Sequence, residues 1–170
     1  MVFDDITQEI DYYNKLPVVF DGFMEDMSGL ADKELSVICT ARKDAIPEKK
    51  WVPSYEFSIM VDGEKAGGMS FRIGYTDSLY YGGQIGYEVD EAYRGKGYCA
   101  RAVALLAHVA KFHGMEKLII SNNVENRPSA RVCEKLGLRL VRVVDVPEWH
   151  DLYKKGERRF NIFEWDLANE

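Results

Sequence analysis

From Tyr87 to Ala100 the chain reads Tyr-Glu-Val-Asp-Glu-Ala-Tyr-Arg-Gly-Lys-Gly-Tyr-Cys-Ala. A strand-like pattern ends near Val89 and a helical one begins near Tyr98, with Arg94, Gly95, Lys96 and Gly97 between them. Glycine has no Cβ, so backbone N–H groups at such a turn can approach a ligand closely. Together with the start of a helix they form an anion site. Arg94 and Lys96 add formal charge, and the chemistry this supports is a pyrophosphate cradle. A G-x-x-x-x-G-K-[ST] phosphate loop is absent. Gly95-x-Gly97-x-x-Ala100 satisfies the dinucleotide fingerprint, but that fingerprint belongs in the first turn of a parallel β-α-β unit. The bland alternative is a surface turn before a core helix, its charges merely solvated.

A second constellation follows. Arg94-x-x-Gly97, with the small residues Cys99 and Ala100 behind it, resembles motif A of the GNAT N-acetyltransferase superfamily, Arg/Gln-x-x-Gly-x-Gly/Ala. Asn126-x-x-Ser129-x-x-Val132-Cys133-Glu134-Lys135-x-Gly137-Leu138 is similar to the family's second signature, an Asn-initiated helix ending in Glu-Lys-x-Gly-Phe. The strand Leu118–Ser121 falls between the two, as in the family, and the resemblance covers residues 55–167.

The resemblance implies acetyl-CoA as co-substrate. Its pantetheine arm would enter a V-shaped gap between the strand before motif A and the strand after it. Val89 would end the splayed strand and offer its backbone to the pantetheine and the acetyl carbonyl. Arg94, Gly95, Lys96, Gly97, Tyr98, Cys99 and Ala100 would surround the pyrophosphate, and Asn126 and Ser129 would approach the cofactor from the next helix. Asn126 also suits a plain N-cap, and Ser129 a local backbone bond.

Three positions depart from the family, one of them Cys99, a small residue where Gly or Ala is usual. Cys133 stands where many relatives place a tyrosine general acid, and Ser121 where some place a glutamate base. A cysteine can donate a proton, with a pKa nearer neutrality than tyrosine's; a buried cysteine more often behaves as a small hydrophobe. Glu88 alternates with Val89, so it faces either the acceptor cleft or solvent. His150, beside Trp149, is a base by type, or a loop histidine packed on the indole. His108 and His113 read as packing or surface residues. Tyr12, Tyr13, Phe23 and Trp51 suit a lid over the site or a core equally. The run Lys154–Arg159 reads as a solvated hairpin loop.

These residues need elements to hold them. Residues 4–15 read as a helix, 16–34 as irregular, Leu35–Arg42 as a strand and 43–54 as a loop. Tyr55–Val61 and Ala66–Tyr75 alternate as strands around an Asp62-Gly63 hairpin turn. A polar turn at Thr76–Ser78 leads to a strand through Gln84–Val89. Tyr98–His113 carries a broad apolar face and reads as one long helix closed by Gly114. Asn126 starts a helix with Pro128 in its first turn, and Gly137 closes it. Strands at Arg139–Val146 and Phe160–Leu167 finish the chain. This order predicts an α+β fold with a GNAT-like mixed, mostly antiparallel central sheet and flanking helices.

Composition narrows the rest. The 170 residues are 46% hydrophobic and 29% charged, a globular balance on the scale of one domain. We expect one acyltransferase domain over 1–170, with 1–54 as an N-terminal extension carrying substrate-side elements and 55–167 as the acetyl-CoA core. Twenty-two basic against 28 acidic residues give −6, which argues against nucleic acid as a partner. No run is long and apolar enough for a membrane span, the acidic N-terminus lacks the pattern of a secretory signal, and three widely spaced cysteines suggest a reducing cytoplasm and no metal site. The expected activity is direct acetyl transfer from acetyl-CoA to a primary amine of a small molecule or protein. Binding of acetyl-CoA without turnover, as a sensor or assembly module, is the alternative, and a homodimer stays open.

Overall fold

The computed structural model describes residues 3–169. Its elements are α1 (Ile6–Asn14), β1 (Ala31–Asp32), β2 (Leu35–Lys43), β3 (Ser54–Val61), β4 (Glu64–Arg72), α2 (Asp77–Gly82), β5 (Ile85–Val89), α3 (Tyr98–Leu105), α4 (Ala107–Phe112), β6 (Lys117–Asn123), α5 (Arg127–Lys135), β7 (Arg139–Asp145), α6 (Asp151–Lys154) and β8 (Arg159–Asp166). Short 3-10 turns lie at Pro47–Lys49, Glu91–Tyr93 and Leu167–Asn169. The α+β class with antiparallel pairing is as expected, and the strands fall into two sheets. The chain divides into two compact units. One comprises Pro17–Gly74 and Ile85–Glu116; the other holds the described residues of Met1–Leu16, Tyr75–Gln84 and Lys117–Glu170.

In the first unit β1 to β5 pair in chain order, each pair antiparallel. Strict alternation builds it: Tyr55, Phe57, Ile59 and Val61 of β3 are buried, while Ser54, Glu56, Ser58 and Met60 are only half-buried. The Asp62-Gly63 turn has both residues at positive φ (51° and 82°), the conformation that matches strand twist in a tight hairpin. α3 lies against β2 and β5, with Ala102 and Val103 fully buried, as are Leu106, Val109 and Ala110 further on. The other face stays open. Thr40, Glu56, Ser58, Gly68, Ser70 and Glu88 line a concavity of about 430 Å³ there. Gly67 lies opposite Val89, and a Cβ on it would overlap the Glu88 carbonyl, so the close approach of β4 to the end of β5 requires glycine.

The second unit has an antiparallel sheet ordered β6-β8-β7. Tyr13, Tyr80, Tyr81, Ile119, Val144, Val146, Phe160 and Ile162 form one apolar cluster, and Trp165 is fully buried nearby in sequence on β8. Two buried carboxylates belong to this unit. Glu9 of α1 accepts from Tyr80 Oη at 3.0 Å and from Arg142 Nε at 2.6 Å. Glu164 of β8 accepts from Tyr13 Oη at 2.6 Å and from Arg139 Nη2 at 3.2 Å. Each buried charge is therefore paired and hydrogen-bonded, as burial demands.

Three expectations change. The long helix at 98–113 is interrupted at Leu106 into α3 and α4, although Leu106 keeps right-handed dihedrals and the apolar face continues. The polar turn at 76–78 is the start of α2: Thr76 Oγ1 accepts from the Leu79 N–H at 3.1 Å, an N-cap that holds a short helix. The loop before the last strand contains α6, capped by His150.

Candidate functional site

β5 ends at Val89, and the Asp90 N–H donates to the Ala66 carbonyl at 2.7 Å, which anchors the exit to β4. A 3-10 turn, Glu91–Tyr93, then delivers Arg94. Gly95 and Gly97 have φ of 78° and 79°, left-handed values that cost a residue with a Cβ about 1–2 kcal/mol. Gly97 is the N-cap of α3 and makes no side-chain cap hydrogen bond. The first intrahelical bond, Arg101 N–H to the Gly97 carbonyl, measures 3.2 Å. Arg94, Gly95 and Lys96 are exposed, Gly97, Tyr98 and Cys99 half-buried, and Ala100 buried. The Arg94 Nε donates to the Val89 carbonyl at 3.1 Å, so the guanidinium folds back over the strand end. This contiguous set is an electropositive turn feeding a helix N-terminus, which suits a phosphate-bearing ligand.

Glu88 is exposed and lines the open face with Glu56, Ser58 and Ser70. Among the described residues no hydrogen bond or ion pair engages its carboxylate. Glu56, by contrast, accepts from Lys43 Nζ at 3.2 Å. Neither the face nor Glu56 and Ser70 stood out in the sequence; the polar alternation along β3 was the available signal.

The remaining candidates lie in the other unit. Asn126 caps α5, its Oδ1 accepting from the Ser129 N–H at 3.3 Å, and Ser129 is half-buried. Cys133 is fully buried, and Asn122 Nδ2 donates to its Sγ at 3.6 Å. Asn122 Oδ1 in turn accepts from Asn161 Nδ2 at 3.0 Å. Ser121 Oγ donates to the Tyr81 carbonyl at 2.6 Å. Ser121 and Asn122 are consecutive on β6 and point to opposite faces, so Cys133 and Ser121 are not brought together.

His150 is not a free base. It is buried, its Nδ1 accepts from the Leu152 N–H at 3.0 Å, and its Nε2 donates to the Ser78 carbonyl at 2.9 Å. Both ring nitrogens are committed to capping α6 and tying it to α2. Trp149 is exposed, its indole edge-on to Tyr81. His113 is buried as well: its Nδ1 donates to the Val19 carbonyl at 2.9 Å and its Nε2 accepts from Tyr55 Oη at 2.7 Å. Burial holds this imidazole below its ordinary pKa. Tyr13 is core, Phe23 packs edge-on against Tyr55, Tyr12 accepts from Lys117 Nζ at 3.0 Å, and Trp51 is exposed beneath Lys49 Nζ. In the basic loop Arg158 stacks on Tyr153, its Cζ 3.6 Å from the ring centroid.

The family model described as an acetyltransferase (GNAT) domain matches residues 32–139. The chain belongs to the GNAT acetyltransferase family. The match holds the whole Gly95–Gly97 turn, Asn126 and Cys133, and it begins upstream of residue 55, where the sequence resemblance starts. GNAT enzymes take acetyl-CoA as co-substrate. The GNAT fold recurs in solved structures. The ribosomal L7/L12 alpha-N-protein acetyltransferase RimL aligns with a TM-score of 0.57 and 16% identity over 80% of this chain and 95% of that one. The microcin C7 self immunity acetyltransferase MccE, solved with acetyl-CoA and AMP, aligns at 0.53 and 22% identity over 66% of this chain and 61% of that one. RimJ of Mycobacterium smegmatis, solved with CoA-disulfide, aligns at 0.53 and 21% over 68% of this chain and 54% of that one. No curated protein sequence matches the chain. Among the described residues no helix is long and apolar enough to cross a membrane, and no three His, Cys, Asp or Glu side chains group as a metal site.

Proposed function

We propose that this GNAT chain moves the acetyl group of acetyl-CoA directly onto a primary amine of a small molecule or a protein. The carrying observation is the turn between β5 and α3. It joins two left-handed glycines, exposed Arg94 and Lys96 and a helix start with Gly97 as its N-cap. Turn and helix N–H groups would hold the pyrophosphate, with Arg94 and Lys96 countering its charge. Binding at that remote group positions the thioester. The Val89 backbone is assigned the pantetheine and the polarisation of the acetyl carbonyl, and Asn126 and Ser129 are assigned to the cofactor by the second signature.

The amine must be neutral to attack, and an alkylammonium near pKa 10.4 is not. Glu88, exposed and unengaged one residue before Val89, is the proposed acceptor of that proton, directly or through water. The nitrogen then attacks the thioester carbon, the C–S bond breaks, and the CoA thiolate leaves with the electron pair; the proton remaining on the acylated nitrogen passes to that thiolate, directly or through water, to give the amide and the CoA thiol. Cys133, sealed in the core beside Asn122, is assigned to packing, and Ser121 to its bond with Tyr81. Three widely spaced cysteines, Cys39, Cys99 and Cys133, suit action in a reducing cytoplasm.

The test is calorimetry with acetyl-CoA, followed by thiol release across a panel of small amines, lysine peptides and N-terminal peptides. RimL's description as an alpha-N-protein acetyltransferase puts N-terminal peptides on the panel. Binding with amine-dependent thiol release supports the proposal. Binding without release from any amine favours the sensor reading, and no binding refutes both.

A further inference from the structure

Arg101 sits one turn into α3 and reaches back to the β1–β2 turn. Its Nε donates to Asp32 Oδ2 at 2.9 Å, its Nη2 to the Asp32 carbonyl at 2.9 Å, and its Nη1 to Glu34 Oε1 at 2.5 Å. Lys33, between those two acids, has φ +57°, a left-handed conformation that residues with a Cβ avoid. The hairpin thus accepts a disfavoured backbone while presenting three acceptors to one guanidinium. With two carboxylates on it, that guanidinium has little charge left for a ligand.

The same side chain touches the cradle. The Arg101 Cζ lies 5.7 Å from the centroid of the Tyr98 ring. Tyr98 meets Tyr93 edge-on with centroids 6.3 Å apart, and Tyr93 Oη donates to Glu64 Oε2 at 3.3 Å. Tyr93 and Tyr98 immediately flank the stretch Arg94–Gly97. One end of that stretch is therefore tied to the start of β4, and the other, through Arg101, to the β1–β2 hairpin. Within it, Gly95 has open space where a Cβ would lie. The geometry points to Arg101 as a positioning residue that sets the width of the anion turn, through Tyr98 and Tyr93, without touching the ligand. This rests on the acetyl-CoA reading above.

The experiment compares acetyl-CoA with S-acetylpantetheine, which carries the same thioester and no pyrophosphate. Arg101→Met raises Kd and KM for acetyl-CoA about tenfold, leaves kcat at saturation within about twofold, and leaves kcat/KM for S-acetylpantetheine unchanged. Arg101→Lys recovers only part of the loss, because an ammonium is a point donor that cannot span three acceptors as the planar fork does. Equal acetyl-CoA affinity in wild type and Arg101→Met overturns the proposal, as does an equal loss with both donors. If Arg101→Met does not fold, Glu34→Ala, which removes one of the three acceptors, decides on the same pair of donors. Wild-type protein that binds no acetyl-CoA refutes the functional reading and this inference together; wild type that binds as well as both variants refutes only the inference.

Discussion

Gly97 is where backbone conformation and ligand approach coincide. A valine there meets the left-handed penalty and sets a branched side chain beside the N–H groups of the turn. Gly97→Val should abolish the thermal shift that acetyl-CoA gives the wild type, while the unliganded Tm drops by a few degrees; differential scanning fluorimetry reads both. Glu88 is exposed, so Glu88→Gln should leave stability within about 0.5 kcal/mol. It should lower kcat/KM for the amine about a hundredfold near neutral pH, with acetyl-CoA affinity intact, as loss of a general base does. Cys133→Ala tests the opposite case. The change opens a small void and leaves the Asn122 amide without its sulfur partner, so urea unfolding should show a loss of about 1–2 kcal/mol. kcat should stay within about tenfold, equivalent to 1.4 kcal/mol. The cradle was legible because glycine and arginine act locally, over adjacent residues. The partners of Arg101 were not, since Asp32 and Glu34 are brought to it only by folding.

At the scale of elements, polar side chains do much of the fastening. His113 ends α4 and holds the 17–24 segment: its Nδ1–H reaches Val19, and Tyr55 Oη, which donates to its Nε2, also accepts the Met24 N–H at 2.7 Å. Burial lowers its pKa below the ordinary 6.5. The unfolded chain therefore binds this proton more readily than the native state, and stability falls as pH drops through about 6.5. His113→Gln should flatten that slope between about pH 7.5 and 5.5 in urea melts. α1 is fastened by Glu9, and Glu9→Ala removes the acceptor of Tyr80 Oη and of Arg142 Nε, leaving Arg142 its Nη2 bond to the Phe3 carbonyl. Arg142 keeps some solvent access, so a loss of about 2–3 kcal/mol in chemical denaturation is expected, below the full penalty for a sealed pair. The β3–β4 hairpin was readable because Asp62-Gly63 specifies its own turn. α2 was missed although Thr76 and Gly83 bracket it as caps, because six residues carry too little period to compete with a turn-rich composition. The break at Leu106 leaves no mark in the apolar stripe and so had no sequence signal.

For the molecule as a whole, composition set the class and left the chemistry to placement. A charge of −6 argued against nucleic acid as a partner, while the open face with Glu56, Ser70 and Glu88 became visible only once register aligned three strands. His150 shows the reverse: a residue type suited to catalysis was consumed by the two helices it joins. The three indoles are distributed just as unevenly, with Trp51 at 54% and Trp149 at 56% exposed against 2% for Trp165. The chain therefore carries its own optical labels. Two rings emit from water and one from a dry interior, so iodide should darken the red-edge fluorescence and leave a blue-shifted remainder from β8. That residual emission is a built-in gauge of one sheet's integrity, readable without attaching a dye.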